Sequence, residues 1–274
     1  MMPRRHAAPA KLNLALVVGP VREDGKHEVA TLLQRIDVCD RLTVEPAAET
    51  SVHGFPGDSV VRRALDLLAA GARHDGGWRV RLWKKVPVAG GLGGGSSDAA
   101  TALRVANETL PAPLPPERLA AVAADVGADV PFFLRDGPQL GLGDGTELEP
   151  VELPQDYWVV LLLPSGARKA STASVYAAFD RGGGEEGWEE RRAVALQALA
   201  RVRRARDLAA LPPNDLARSP FADRLRALGA FRADVSGAGP TVYGLFHRHA
   251  VAKQARAALS PYGRTWLTVP AWYG

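Results

Sequence analysis

Cysteine is almost missing from this 274-residue chain: Cys39 stands alone. One thiol excludes an intramolecular disulfide and any cysteine-built zinc site, and it points to a reducing, cytoplasmic setting. Lysine is scarce as well, six against 28 arginines, and the formal net charge is only +4. That balance admits anionic ligands without demanding nucleic acid. Long apolar runs are lacking. Away from the N-terminus the most apolar stretch is Trp158 to Leu163, far short of the ~20 residues a membrane helix needs, so no membrane partner is expected. Arg4 and Arg5 precede an apolar stretch in the manner of a secretory signal, but Lys11 and Asn13 interrupt it and no small-x-small site follows cleanly. It therefore reads as part of the fold. What remains is ordinary globular material, 46% hydrophobic and 23% charged, which excludes a disordered or fibrous chain.

Periodicity orders the rest. Residues 12–18 (LNLALVV) and 36–45 read as strands, with a turn at Asp24-Gly25 between them. Val61, Ala64, Leu65 and Leu68 share one face of a helix from Asp58 to Ala70, with Gly71 as its stop, and Trp78 to Val86 alternates as a half-buried strand. Helices follow at Ala99 to Leu110 and Glu117 to Val126, joined by a proline-rich connection and ended by Gly127. Gly141 to Gly145 is a tight turn, and Tyr157 to Leu163 a strongly apolar strand. Beyond it come a helix near 171–180, a glycine-rich loop at 182–184, a long helix near 186–211, strands at 232–235 and 241–246, a helix and a last strand. This mixture lacks a strict βαβ rhythm and suggests an α+β protein of two domains. Pro150 and Pro154 bracket a boundary near residue 150, giving domains 1–150 and 151–274.

The segment GGLGGGSS, residues 90–97, lies between a predicted strand and a predicted helix. Its glycines leave room for backbone N–H groups to converge on an anion, and the helix N-terminus adds partial positive charge. It is neither a Walker A loop nor a dinucleotide fingerprint, since no Gly-Lys-[Ser/Thr] follows and Ser96 takes the third glycine place. With Lys84 and Lys85 beside it, a nucleoside triphosphate is the expected guest; the alternative is a flexible surface loop. Lys11, near the start of the first strand, needs an anionic partner if buried; otherwise it is a surface lysine. Asp129 precedes Val130-Pro131 and the pair Phe132-Phe133, which can wall off water; otherwise it caps the next turn. Ser97 and Asp98 are near enough for a metal on the phosphates, although Asp98 has helix capping as its commoner role. His247 and His249 read as a helix start rather than a metal pair. The basic stretch Arg191 to Arg206 reads as a solvated face, because no aromatic residue interleaves with it for stacking on nucleic acid.

Three segments taken together carry a resemblance: Pro9-Ala-Lys-Leu-Asn-Leu14, Pro87-x-x-x-Gly91-Leu-Gly-Gly-Gly-Ser-Ser-Asp-Ala-Ala100 and Ser236-Gly-Ala-Gly-Pro-Thr241. In order and spacing they resemble the three motifs of the GHMP family of small-molecule kinases. Asp24-Gly-x-His27 and Gly127-Ala-Asp-Val-Pro-Phe-Phe133 are similar to the branch that acts on a cytidylated methylerythritol in non-mevalonate isoprenoid precursor synthesis. The resemblance implies a two-domain architecture with the active site in the cleft between domains. It implies phosphorylation of the acceptor's 2-hydroxyl, with ATP as donor and Mg2+ as its companion. Lys11 and Asp129 become the catalytic pair, Asp129 taking the hydroxyl proton while Lys11 orients it and stabilises the transferring phosphoryl group. Pro87, Val88, Ala89, Gly90, Gly91, Leu92, Gly93, Gly94, Gly95, Ser96 and Ser97 become the ATP-binding segment. Asn13, His27, Thr172 and Tyr176 become acceptor contacts, Tyr176 against the cytosine ring. Lys26 stands where the family usually has tyrosine and is expected to lie over the base by its stem or to bind the diphosphate. A monomer or weak homodimer without nucleic acid follows. A homoserine- or mevalonate-type acceptor, or a non-catalytic nucleotide- or RNA-binding relative, is the alternative.

Overall fold

The apolar stretch LNLALVV forms the middle of a much longer strand: β1 runs His6–Val21 and, after a turn with Gly25 at φ 77°, β2 runs His27–Ala47. The computed structural model describes residues 4–55, 60–167 and 171–271. The chain continues through β3 (Ser51–His53), α1 (Val60–Ala72), β4 (Gly77–Trp83), α2 (Gly94–Glu108), α3 (Pro116–Val126), β5 (Gln139–Leu142), β6 (Glu147–Pro150) and β7 (Trp158–Pro164). It then forms α4 (Thr172–Arg181), α5 (Trp188–Ala200), α6 (Pro220–Ala227), β8 (Arg232–Val235), β9 (Val242–Phe246), α7 (His249–Leu259) and β10 (Gly263–Thr268). The mixed α+β class expected from the pattern holds.

Two compact units are interleaved along the chain. One comprises Val38–Val88, Gly93–Asp136 and the described residues up to Ala10; the other comprises Lys11–Asp37, Ala89–Leu92 and the described residues from Gly137 onward. This division does not fall at a single point near residue 150. The reason is the length of β1 and β2, which each contribute to both units, so the chain passes between them along strands rather than through a linker.

In the first unit β4 pairs antiparallel with β2, from Arg41↔Trp83 to Ala47↔Gly77, and parallel with β3. Val61, Ala64, Leu65 and Leu68 are the buried face of α1, as the period requires. The helix runs through Gly71 and stops at Arg73, which takes the left-handed conformation at φ 51°. Trp78 is fully buried and donates its indole N–H to Thr109 Oγ1 at 2.9 Å. Helix α2 starts earlier than its composition suggests. Gly93, at φ 68°, is the N-cap, and Gly94, Gly95, Ser96 and Ser97 are helical. A Cβ on Gly94 would fall 2.9 Å from Val86 Cγ1, so close packing sets glycine there despite its poor helix propensity.

In the second unit β10, β7, β9 and β8 form an antiparallel sheet in that order. Val160, Leu162, Val242 and Phe246 from the sheet pack with Leu225 of α6 and Leu259 of α7. β2 pairs with β5 from Thr31↔Gly141 to Leu33↔Gln139, and β5 with β6. The helix expected over 186–211 breaks at Ala200. The Asp207 carboxylate accepts the N–H groups of Arg203 (2.9 Å) and Arg204 (2.8 Å), and a 3₁₀ turn, Ala205–Ala210, follows. A local carboxylate here outcompetes the helical backbone bonds. No helix among the described residues is long and apolar enough to cross a membrane.

Candidate active site

Lys11 and Asn13 are two residues apart on β1, so they project from the same face of the strand. Both are buried, and Lys11 Nζ donates to Asn13 Oδ1 at 2.7 Å. Asn13 Nδ2 donates to Thr31 Oγ1 at 2.8 Å, and the Thr31 hydroxyl donates to the Ala15 carbonyl at 2.9 Å. This relay fixes which end of the amide faces the ammonium, and therefore where the ammonium sits.

Two loops close on the relay. The backbone N–H of Lys11 donates to Leu92 O at 2.9 Å, and that of Thr241 to Gly90 O at 3.2 Å. The Ser236 hydroxyl donates to Gly91 O at 3.0 Å and accepts the Asn13 N–H at 3.4 Å. Gly91 has φ +79°, and a Cβ there would meet Ser236 O at 2.3 Å. A Cβ on Gly237 would lie 3.3 Å from Asn13 Oδ1 and 3.8 Å from Lys11 Nζ. Residues 11–13, 90–92 and 236–241, far apart in sequence, thus meet with their backbones in near contact.

The flanks of the glycine segment are held differently. Lys84, just past β4, places Nζ 2.5 Å from Asp40 Oδ2 and 2.5 Å from Asp98 Oδ2, and both carboxylates are fully buried. Burial alone would lower the lysine pKa, but the charges and hydrogen bonds of Asp98 and Asp40 hold it above the usual lysine range. Asp40 Oδ1 accepts the backbone N–H groups of Lys85 and Val86. Lys84 is therefore engaged by carboxylates rather than presented to phosphate, and Asp98 lies inside α2 rather than capping it. The Ser97 hydroxyl is buried in the first turns of α2 with no hydrogen-bond partner.

Asp129 is half-buried in the turn after α3, followed by buried Val130, Pro131, Phe132 and Phe133. The N-cap position of the 3₁₀ turn Pro131–Leu134 is Val130 rather than Asp129. The Phe132 and Phe133 rings meet edge-on at 5.0 Å.

In the second unit His27 opens β2. Its Nε2 lies 2.7 Å from Asp180 Oδ1, and its ring lies 4.7 Å from that of Tyr176 and 6.1 Å from that of Phe179. Tyr176 and Phe179 of α4 pack on Leu16, Val18 and Val29. Thr172 is exposed at the first position of α4, after Ser171, whose hydroxyl accepts the Ser174 N–H. Lys26 is exposed and directs Nζ onto the carboxylate of Asp144, which also accepts the Thr146 hydroxyl at 2.6 Å and its N–H at 3.1 Å. The Asp144 hydrogen bond holds the Lys26 pKa above its usual value. Burial works to raise the Asp144 carboxyl, but the bonds from Lys26 and Thr146 bring it below the ordinary aspartate range.

Sequence reasoning missed Thr31, Phe179, Asp180, Asp144 and Asp40, and read Ser236 only as the start of the C-terminal glycine motif. Phe179 and Asp180 stand three and four residues beyond Tyr176 on one helix, a spacing that could have found them. Asp40 and Asp144 carry no local signal. His247 stacks on Phe231 at 4.3 Å and His249 packs on Trp158 at 4.4 Å, and no group of three or more His, Cys, Asp or Glu that could hold a metal occurs among the described residues.

Comparison with known proteins identifies the family of the chain. The family model described as GHMP kinases N terminal domain matches residues 59–137, and that described as GHMP kinases C terminal matches residues 220–264. The 4-diphosphocytidyl-2-C-methyl-D-erythritol kinase of Deinococcus radiodurans is 37% identical over 278 residues, covering 97% of this chain and 92% of its own. That of Geobacter sulfurreducens is 35% identical over 278 residues, covering 95% of each. A crystal structure of 4-(cytidine 5'-diphospho)-2C-methyl-D-erythritol kinase superposes with a TM-score of 0.79 at 35% identity, covering 98% of this chain and 99% of that one. With three motifs in order and this degree of identity along nearly its whole length, the chain belongs to the GHMP kinases, in the 4-diphosphocytidyl-2-C-methyl-D-erythritol kinase family.

Proposed function

We propose that this kinase transfers the γ-phosphoryl group of ATP to the 2-hydroxyl of 4-diphosphocytidyl-2-C-methyl-D-erythritol. The observation that carries the reading is the 35–37% identity to kinases of that name over nearly the whole chain. The buried Lys11–Asn13–Thr31 relay beside residues 90–92 and 236–241 supports it, since phosphoryl transfer depends mainly on positioning and on neutralising charge.

In this mechanism the 2-hydroxyl oxygen forms a bond to the γ-phosphorus as the bond from that phosphorus to the β–γ bridging oxygen breaks. ADP leaves, and the hydroxyl proton passes to Asp129. Lys11 stabilises charge on the transferring group from the position that Asn13 enforces. Residues 87–97 hold the ATP phosphates, with the N-terminus of α2 facing them. The donor set fits magnesium poorly as a protein-built cage, since no group of three or more His, Cys, Asp or Glu that could hold a metal occurs among the described residues. It fits magnesium held chiefly by the nucleotide, with the buried, unbonded Ser97 hydroxyl as an oxygen donor. Bound there, the ion neutralises phosphate charge. His27 and Tyr176 contact the cytosine, Asn13 and Thr172 the rest of the acceptor, and Lys26 acts at the rim of that subsite.

The same reading keeps the protein in the cytoplasm as a monomer or weak homodimer without nucleic acid. Several arginines of the basic stretch and its surroundings serve the fold. Arg203 bonds the Ala200 and Val202 carbonyls, and buried Arg232 bonds the Leu208, Leu211 and Pro212 carbonyls.

A coupled ADP-release assay tests the proposal with the cytidylated methylerythritol, homoserine and mevalonate as acceptors, on wild type and Asp129→Ala. Turnover is expected with the first acceptor alone and only in the wild type. Inactivity with every acceptor refutes the kinase reading, and full turnover by Asp129→Ala refutes the base.

A further inference from the structure

The glycine segment leaves β4 at Trp83 and joins α2 at Gly94, and one buried cluster of three charges touches both flanks. Lys84 bridges Asp40 of β2 and Asp98 of α2, while the second oxygen of Asp40 holds the N–H groups of Lys85 and Val86. Asp40 Oδ2 also lies 3.5 Å from where a Cβ on Gly94 would sit. Side-chain exposure is 14% for Lys84 and 0% for each carboxylate, so the cluster is shielded from solvent. A lysine beside a phosphate-binding loop would ordinarily be read as a phosphate ligand. Here its ammonium is already held by two buried carboxylates, so a phosphate at the same point would have to displace or share them.

We infer that Lys84, Asp40 and Asp98 are positioning residues for ATP: they set the spacing between the entry of the glycine segment and the first turns of α2, and Lys84 does not bind the nucleotide. The inference rests on the reading of residues 87–97 as the ATP segment.

Charge distinguishes it from direct binding. If Lys84 were a phosphate ligand, removing either carboxylate would free the ammonium and make the site more positive, so ATP would bind as well or better. If the cluster positions the loop, removing a carboxylate weakens ATP just as removing the lysine does. The experiment is calorimetric titration of MgATP into wild type, Lys84→Gln, Asp40→Asn and Asp98→Asn, with near-ultraviolet circular dichroism to verify folding and steady-state kinetics on each. ATP affinity is expected to fall about tenfold in all three variants. KM for ATP should rise in parallel, and the KM of the alcohol acceptor should stay unchanged. Undiminished ATP binding by Asp40→Asn or Asp98→Asn overturns the inference. Should Asp40→Asn not fold, Asp98→Asn carries the test; failure of all three to fold overturns it too, marking the cluster as a folding element. Absence of ATP binding by the wild type would instead refute the underlying reading of the glycine segment.

Discussion

Lys11 Nζ and Asn13 Oδ1 lie 2.7 Å apart on one face of β1, so a neutral amide helps to aim this buried ammonium. Asn13→Ala is expected to lower kcat by about 10²-fold, the scale of a misplaced catalytic group. Thr31→Val, which removes only the support of the amide, should act in the same direction by about tenfold. Steady-state kinetics at saturating ATP and acceptor decide the point, and wild-type kcat in Asn13→Ala would contradict the relay.

Two glycines of one motif should respond oppositely. Gly91→Ala places a Cβ 2.3 Å from Ser236 O at φ +79° and is expected to cost about 2 kcal/mol or more in denaturant unfolding. Gly95→Ala meets nothing within 4 Å inside α2, so it should stabilise the fold by about 0.5–1 kcal/mol. If the helix N-terminus receives phosphate, the same methyl raises KM for ATP. Equal unfolding free energies for the two variants would count against this geometry.

The Lys26–Asp144 pair gives a pH-dependent coupling. The folded Asp144 carboxyl lies below its unfolded value, so its contribution is complete above about pH 4 and is lost as pH falls through the lower folded value. Lys26 titrates above its unfolded value, so its contribution is complete below about pH 10 and is lost as pH rises through the higher folded value. Lys26 is 55% exposed, so a double-mutant cycle with Lys26→Met and Asp144→Asn should give no more than about 1 kcal/mol near neutral pH, reduced by salt. A coupling that persisted at pH 2 would exclude the ion pair as its source.

Arg191 should be irreplaceable. Its guanidinium donates to Val18 O at 2.9 Å, Gly184 O at 2.6 Å, Asp215 Oδ2 at 3.3 Å and the Glu186 carbonyl. Arg191→Ala is expected to cost about 2–4 kcal/mol, because several acceptors lose their donor. Arg191→Lys should recover little of it, since one ammonium cannot span the fork. Thermal and urea unfolding of both variants test this, and near-complete recovery by lysine would show that charge alone suffices.

Much of the fold was legible because its signals are local. The buried face of α1 follows from the spacing of Val61, Ala64, Leu65 and Leu68, and Gly127 ends α3 as its place in sequence suggests. The errors arose where a distant or competing group decides. Composition places the start of α2 at Ala99, but packing of Val86 on Gly94 draws the first turn into the glycine run. The long basic helix looks continuous until Asp207 captures the N–H groups of Arg203 and Arg204. At the site, Lys11 and Asn13 were each singled out, Lys11 as the partner of Asp129 and Asn13 as an acceptor contact, but the bond between them was not foreseen. Thr31, Ser236 and Asp40 owe their roles to strand pairing and loop closure over separations that no periodicity encodes.

The interleaving of the two units limits how the gene can be divided. A fragment ending near residue 150 would carry Lys11–Asp37 without most of the chain that completes their unit, and the complementary fragment would lack those same strands. The N-terminal product holds every segment of the first unit, but the second unit is split by the cut, so the C-terminal product should be recovered folded only when the N-terminal one is present as folding proceeds.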